Sequence, residues 1–205
     1  MAAVNQGAYE GLYQWVIEKL PGRDLAANAG RLGLRVQPDG GVIVRLLARD
    51  YRVDQKGAAA VDGLPAGLTR LSLAASYALS QALAEASGDF LPLRRLSGLV
   101  EGRGSYDREA VSRPLERRFG EDVPALEEAV RRLEGRDEGR DLSGARSFIF
   151  YPLPRLPLRL LFHEADEEFP AEFRLLFPVN ATEFMDFEAL AFLAGALVAD
   201  LCGPV

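Results

Sequence analysis

The chain has 205 residues, of which 48% are hydrophobic and 26% charged, a balance typical of a globular protein with a buried core. Its formal net charge of -6 at pH 7 argues against binding to nucleic acid, because a polyanion is bound through clustered lysine and arginine side chains that displace counterions. The single cysteine excludes an intramolecular disulfide framework and a four-cysteine zinc or iron–sulfur site within one chain.

The sequence also bears on location. No apolar run reaches the ~20 residues that a membrane-spanning helix needs. The N-terminal segment "MAAVNQGAYEGLY" lacks the basic region and following apolar stretch of a secretory signal. We therefore expect a cytoplasmic protein that has no membrane segment.

The first third of the chain predicts two helices and a hairpin. Apolar residues recur at helical spacing from Tyr9 to Leu20, and Pro21-Gly22 ends the run. Asp24 is predicted as the N-cap of a short second helix. Apolar residues then alternate on both sides of the turn "QPDGG", a pattern that predicts a β-hairpin.

The middle of the chain predicts a buried helix, a shorter helix and a linker. Alanine and leucine follow helical spacing from Leu68 to Ala86, and Gly88 is placed to cap the helix end. A second helix, from Asp122 to Leu133, has acidic residues early and basic residues late, which suits the helix dipole. The polar, glycine-containing residues 134–146 predict a mobile linker.

The last third predicts three strands and a terminal helix. The runs "SFIFY", "RLPLRLLFH" and "EFRLLF" form a predicted meander, and the helix extends from about Asp186 to Leu201. Together, these elements predict an α+β fold in which antiparallel strands, an N-terminal hairpin and a C-terminal meander, pack with several helices. We expect residues 1–205 to form a single domain.

The register of the last two predicted strands follows from burial. Directly opposed residues of an antiparallel pair have position numbers with a constant sum. Pairing Phe162 with Phe173 places large apolar residues on one face throughout, and a slip of one residue would move them all to the other face. The same register places His163 opposite Glu172. It also predicts the pairs Leu158–Phe177, Leu160–Leu175 and Leu161–Arg174.

A candidate metal site lies at the end of this predicted hairpin. His163 is the only histidine in the chain, and carboxylates are dense in the loop that follows it. Mixed nitrogen and oxygen ligands suit Mn²⁺, Fe²⁺ or Zn²⁺. Phe169, the large apolar residue of this loop, could anchor it to the core. The alternative is a solvated hairpin end with a surface ion pair. The candidate ligands of a divalent metal are His163, Asp166, Glu167, Glu168 and Glu172.

A glycine-rich stretch forms a second candidate site. In "SGLVEGRGS", Gly102, Gly104 and Ser105 precede a predicted helix, and backbone N–H groups at such a helix start can bind an anion. The stretch departs from a phosphate-binding P-loop, which requires a lysine before the serine, where this chain has Gly104. The alternative is a flexible loop.

Four runs of the sequence form a distinctive pattern: "GGVIVRLLARDYRV", "LSLAASYAL", "GSYDREAVSRPLERRFG" and "PRLPLRLLFHEADEEFPAEFRLLF". Together they resemble an uncharacterised family of anaerobic bacteria and archaea, domain-of-unknown-function family 3786. The resemblance extends from about Leu34 to Leu201, and Asp166 to Pro170 is its most specific part. It implies anaerobic metabolism but no established activity and no catalytic residues. Some relatives look fused to an iron–sulfur module of the type found in corrinoid-dependent one-carbon metabolism, which this chain lacks.

These observations favour a binding role over catalysis. Because no complete catalytic motif is present, we expect a non-catalytic cytoplasmic binding or accessory domain rather than an enzyme. It would bind a metal, a cofactor or a redox protein, such as an iron–sulfur or corrinoid protein, through the segment from His163 to Glu172. One alternative is a metal-dependent enzyme that takes its ligands and general base from this segment. Another is an interaction domain whose acidic loop steers a basic partner.

Overall fold

The structure is a computed structural model that describes residues 6–96 and 107–203. It contains two antiparallel sheets, one of four strands and one of five, together with several helices. The predicted α+β fold is therefore confirmed, including the N-terminal hairpin and the C-terminal meander.

Contacts divide the chain into two compact units. The first comprises the described residues of Met1–Glu85 together with Leu153–Arg155 and Glu183–Met185. The second comprises those of Ala86–Pro152, Leu156–Thr182 and Asp186–Val205. That the whole chain is a single domain stays a prediction.

The first unit has a sheet in the order β1-β2-β3-β4 with a largely buried helix against it. The helix predicted to run to Ala86 ends at Ala78. Beyond this point Ser80 makes other bonds: its hydroxyl accepts from Ala82 N, and its carbonyl accepts from Asn28 Nδ2. The elements are α1 (Gln6–Ile17), α2 (Ala29–Leu32), β1 (Arg35–Val36), β2 (Val42–Leu46), β3 (Arg49–Asp54), β4 (Gly57–Ala60) and α3 (Leu68–Ala78).

Tyr77 on α3 links separate segments of the first unit. Its hydroxyl donates to the Leu32 carbonyl oxygen and accepts from the Arg155 backbone N–H, each at 3.0 Å. Burial raises the pKa of Tyr77 well above its usual value. The hydroxyl therefore stays protonated and keeps both bonds.

The second unit has a sheet in the order β5-β9-β8-β7-β6. Before the last four strands, a π-helical turn (Asp107–Ser112) leads into two short helices. The elements are β5 (Phe90–Pro92), α4 (Leu93–Leu96), α5 (Arg113–Phe119), α6 (Val123–Arg132), β6 (Arg136–Arg140), β7 (Arg146–Leu153), β8 (Leu156–His163), β9 (Glu172–Pro178), a 3₁₀ turn (Ala181–Glu183) and α7 (Phe187–Cys202).

The segment predicted as a linker contains strand β6. All five residues of β6 are exposed, and the strand pairs antiparallel with β7 at the sheet edge, with a shift of register between Asp137 and Arg140. A charged edge strand buries no apolar face, so its residues lack the alternation that indicates a strand. Strand β6 forms because its backbone pairs with the largely buried strand β7, not because of its own residue pattern. Mobility of residues 134–146 stays a prediction.

The register predicted for β8 and β9 is confirmed. Phe162 lies opposite Phe173, and both side chains are fully buried, with their rings stacked at a centroid distance of 4.5 Å. His163 lies opposite Glu172. The predicted pairs Leu160–Leu175 and Leu161–Arg174 also form.

Helix α7 is the most apolar helix of the second unit and is held at both ends. The Asp186 carboxylate accepts a backbone N–H in its first turn. Near its last turn, Arg132 Nη2 donates to the carbonyl oxygens of Asp200 (2.7 Å) and Leu201 (3.0 Å). Within the described ranges, neither α7 nor any other helix has the length and hydropathy that a membrane crossing requires.

Candidate functional site

The predicted site lies at one end of the five-stranded sheet. His163 ends β8, Glu172 begins β9, and residues 164–171 connect them. Because β6 and β7 also run antiparallel, the turn at residues 141–145 lies at the same end. We call residues 140–145 and 163–172 together the hairpin end.

His163 makes a polar contact with the β6–β7 turn. His163 Nε2 lies 3.3 Å from Ser143 Oγ, and that hydroxyl donates to Asp141 Oδ1 at 2.6 Å. The serine oxygen is therefore free to accept from a protonated Nε2. The Ser143 hydroxyl, followed by backbone N–H groups of Ser143 and Ala145, holds the pKa of Asp141 below its usual value.

Asp141 and Ser143 are not among the site residues predicted from the sequence. Both lie in the segment interpreted as a linker, 22 and 20 residues before His163 in the chain. The run "DLSG" between two strands is a signal that could have found them, because aspartate commonly accepts backbone N–H groups in such turns. Asp141 does accept from the N–H groups of Ser143 and Ala145.

Glu172 lies opposite His163, but its carboxylate binds Arg174. Arg174 Nε donates to Oε1 at 2.8 Å and Nη2 donates to Oε2 at 3.0 Å, a two-point contact. Residues two apart on a strand share a face, so this pair forms within β9. Glu172 raises the pKa of the Arg174 guanidinium. A metal at Glu172 would have to compete with this arginine.

Two acidic residues of the β8–β9 loop hold the loop in place. The Asp166 carboxylate accepts from the backbone N–H groups of Glu168 and Phe169, each at 2.8 Å, and these bonds lower the pKa of Asp166. Glu164 accepts from Arg140 Nη2 at 2.7 Å, which joins the loop to the end of β6. The loop shape is therefore set by its own polar contacts.

The suggestion that Phe169 anchors the loop to the core is wrong. Its side chain is 66% exposed, because turn bonds to Asp166 rather than apolar burial shape the loop. Leu142, in the β6–β7 turn, is also fully exposed. Glu167 and Glu168 beside Phe169 are exposed, and their carboxylates have no ion pair within the described part of the chain.

The predicted metal ligands lie along one connection of the sheet. Across residues 6–96 and 107–203, no group of three or more His, Cys, Asp or Glu side chains is arranged to hold a metal ion. Metal binding by His163, Asp166, Glu167, Glu168 and Glu172 stays a prediction. The candidate anion-binding residues Gly102, Gly104 and Ser105 lie outside the described residues, and that role also stays a prediction.

The protein has an α+β fold with two antiparallel sheets, and the candidate site lies at one end of the five-stranded sheet. Residues 24–200 match a family model described as "Domain of unknown function (DUF3786)". The match covers most of the chain, so the chain belongs to this family, and the family predicted from its sequence is confirmed. The anaerobic setting and the iron–sulfur fusion of some relatives stay predictions. No curated protein and no solved structure matches the chain.

Proposed function

We propose that this protein is a non-catalytic cytoplasmic binding or accessory domain and that the hairpin end is its binding surface. One observation carries the proposal. Two large apolar side chains, Leu142 and Phe169, are exposed on two separate connections at the same end of one sheet. A contiguous exposed apolar patch with a polar rim is typical of a protein interaction site, and we propose that these two side chains form such a patch.

Polar contacts between the two connections support this role. The Arg140–Glu164 ion pair and the contact between Ser143 and His163 join the β6–β7 turn to the β8–β9 hairpin. A surface that is ordered before binding loses less conformational entropy when a partner docks. The hairpin end is thus suited to binding in the shape it has.

The order of contacts around His163 supports a non-catalytic role. In a nucleophilic triad the acid binds the histidine, which in turn accepts the proton of the serine. Here Asp141 accepts the proton of Ser143 directly, and the histidine contacts the serine oxygen from the other side. In this order the hydroxyl proton stays on Ser143 and points towards the Asp141 carboxylate rather than towards the imidazole.

Among the ligand classes considered, the contacts favour a protein partner. Glu172 is occupied by Arg174 and Asp166 by backbone N–H groups, so metal binding would cost existing bonds. Docking a protein on Leu142 and Phe169 would leave those bonds intact. The family resemblance implies a redox protein of anaerobic metabolism, of the iron–sulfur or corrinoid class, as that partner.

Site-specific photo-crosslinking tests the proposal. A photoreactive phenylalanine analogue replaces Leu142 or Phe169 in the full chain, which is then irradiated in extract of its native host. We expect one discrete protein adduct from both positions, which mass spectrometry should identify as an iron–sulfur or corrinoid protein. The matched controls are Leu64 and Leu83 of the first unit, which are 64% and 78% exposed. No adduct at 142 and 169, or the same adducts at all the positions, would contradict the proposal.

The alternative is a metal-dependent enzyme, and the register that places His163 opposite Glu172 is the observation in its favour. Metal at ~100 times its dissociation constant stabilises a protein by about 2.7 kcal/mol, or roughly 5 to 10 °C in the melting midpoint for a chain of this size. We expect no such shift when chelator-stripped protein receives Mn²⁺, Fe²⁺ or Zn²⁺. A shift that His163→Ala abolishes would establish the metal site and favour the enzyme.

A further inference from the structure

We infer that the hairpin end recognises a protein surface on which an apolar pocket is bordered by lysine or arginine side chains. This inference rests on the proposed function and names the chemistry of the partner. It is based on the exposure of Phe169 and Leu142 and on the absence of ion pairs at Glu167 and Glu168 among the described residues.

The apolar part of the contact comes from Phe169 and Leu142. Phe169 is the larger, and its backbone N–H and carbonyl groups are both bonded to Asp166, so the side chain is presented on an ordered backbone. An aromatic side chain offers a large contact area with few rotatable bonds, and such residues often dominate binding when a pocket encloses them. Phe169 therefore requires an apolar pocket on the partner.

The charged part of the contact comes from Glu167 and Glu168. Arg140 already neutralises Glu164, and backbone N–H groups solvate Asp166. By contrast, the carboxylates of Glu167 and Glu168 have no ion pair among the residues that the structure describes. Docking of Phe169 would remove water from these adjacent carboxylates, and an unpaired carboxylate is costly to desolvate. Cations on the partner remove that cost and steer its approach.

Leu64, an exposed apolar residue of the first unit, lacks this combination. It follows Asp62, whose carboxylate already accepts two bonds from Arg49, at 2.7 and 2.9 Å. Desolvation beside Leu64 would therefore affect a carboxylate that already has a cation, so a partner docked there would not need to supply one. An exposed aromatic ring beside carboxylates that have no ion pair in residues 6–96 and 107–203 directs a basic partner to the hairpin end.

Selection from a display library of random 12-residue peptides on the full chain tests the inference. We expect the enriched peptides to place Lys or Arg beside large apolar residues. Their dissociation constants should rise about 30-fold with Phe169→Ser, a loss typical of a central contact residue. They should rise about fivefold at low salt with Glu167→Gln/Glu168→Gln, because rim charges act mainly through association rate.

Matched variants and a second apolar substitution keep the outcomes separate. Leu64→Ser and Glu18→Gln/Glu183→Gln remove the same kinds of group from the first unit and should leave affinity unchanged. The inference would be overturned, and the proposed function would stand, if affinity falls with Phe169→Ser and Leu142→Ser but the peptides carry no excess of basic residues. The same holds if affinity does not change when both carboxylates are removed. If affinity does not change with either apolar substitution, or if the selection enriches nothing, the inference and the proposed function are both overturned.

Discussion

Replacing Phe162 with alanine should lower the free energy of unfolding by about 3 to 5 kcal/mol, the cost typical of emptying a buried aromatic site. Phe162 is fully buried, and its ring stacks on that of Phe173 across β8 and β9 with an interplanar angle of 15°. Alanine removes both the apolar burial and the ring contact and leaves a cavity between the strands. Urea unfolding followed by circular dichroism measures the change.

Phe169→Ala is the matched control for this prediction. It makes the same chemical change on the same hairpin, but at a side chain that is 66% exposed. We expect it to change the free energy of unfolding by less than about 0.5 kcal/mol, as surface substitutions usually do. Equal losses for the two variants would mean that Phe169 contributes to the core and would weaken its proposed role in binding.

Arg132→Met should lower the free energy of unfolding by about 1.5 to 3 kcal/mol, the range for hydrogen bonds that involve a charged group. Methionine keeps an unbranched stem but removes the guanidinium that binds the Asp200 and Leu201 carbonyl oxygens. A positive charge at the C-terminal end of α7 also complements the helix dipole. We expect faster hydrogen exchange in the last turn of α7 together with the loss in urea unfolding.

The neighbouring arginine provides the control for Arg132. Arg131 forms an ion pair with Glu128 one turn away on α6, and its side chain is 70% exposed. An exposed pair of this kind contributes little to stability, so Arg131→Met should cost less than about 1 kcal/mol. If both variants lose the same stability, the contacts of Arg132 with α7 are not what stabilises the C-terminal helix.

Predictions from local pattern succeeded where burial imposed a strict repeat. The β8–β9 register could be derived because shifting the pair Phe162–Phe173 by one residue would move the large apolar side chains of that face, among them Leu160 and Leu175, to the opposite face. Predictions failed where contacts with a neighbouring segment, rather than an element's own residue pattern, determine where that element forms or ends. Strand β6 has no buried face, and α3 ends at Ala78 although alanines continue beyond it, because Ser80 takes other hydrogen-bond partners.

The candidate site, too, was predicted only in part from the sequence. The sequence placed His163 opposite Glu172 and identified the loop between them, since both follow from one strand register. It could not place Asp141 and Ser143 beside His163, because that contact depends on β6 and β7 pairing at the same end of the sheet. Nor could it foresee that Glu172 binds Arg174, since the position of a carboxylate along the chain does not determine which cation it contacts.

By itself, the sequence determined the α+β class, the hairpin register and membership of the family, because apolar periodicity and specific runs of residues are properties of the chain alone. Only the tertiary structure decided which side chains of the hairpin end are free. It showed that Asp166 and Glu172 are engaged in contacts and that Phe169 faces solvent. The physical reason is that a carboxylate with several donors nearby in the chain can bond to any of them, and only the folded backbone determines which donor lies within reach and which side chain faces solvent.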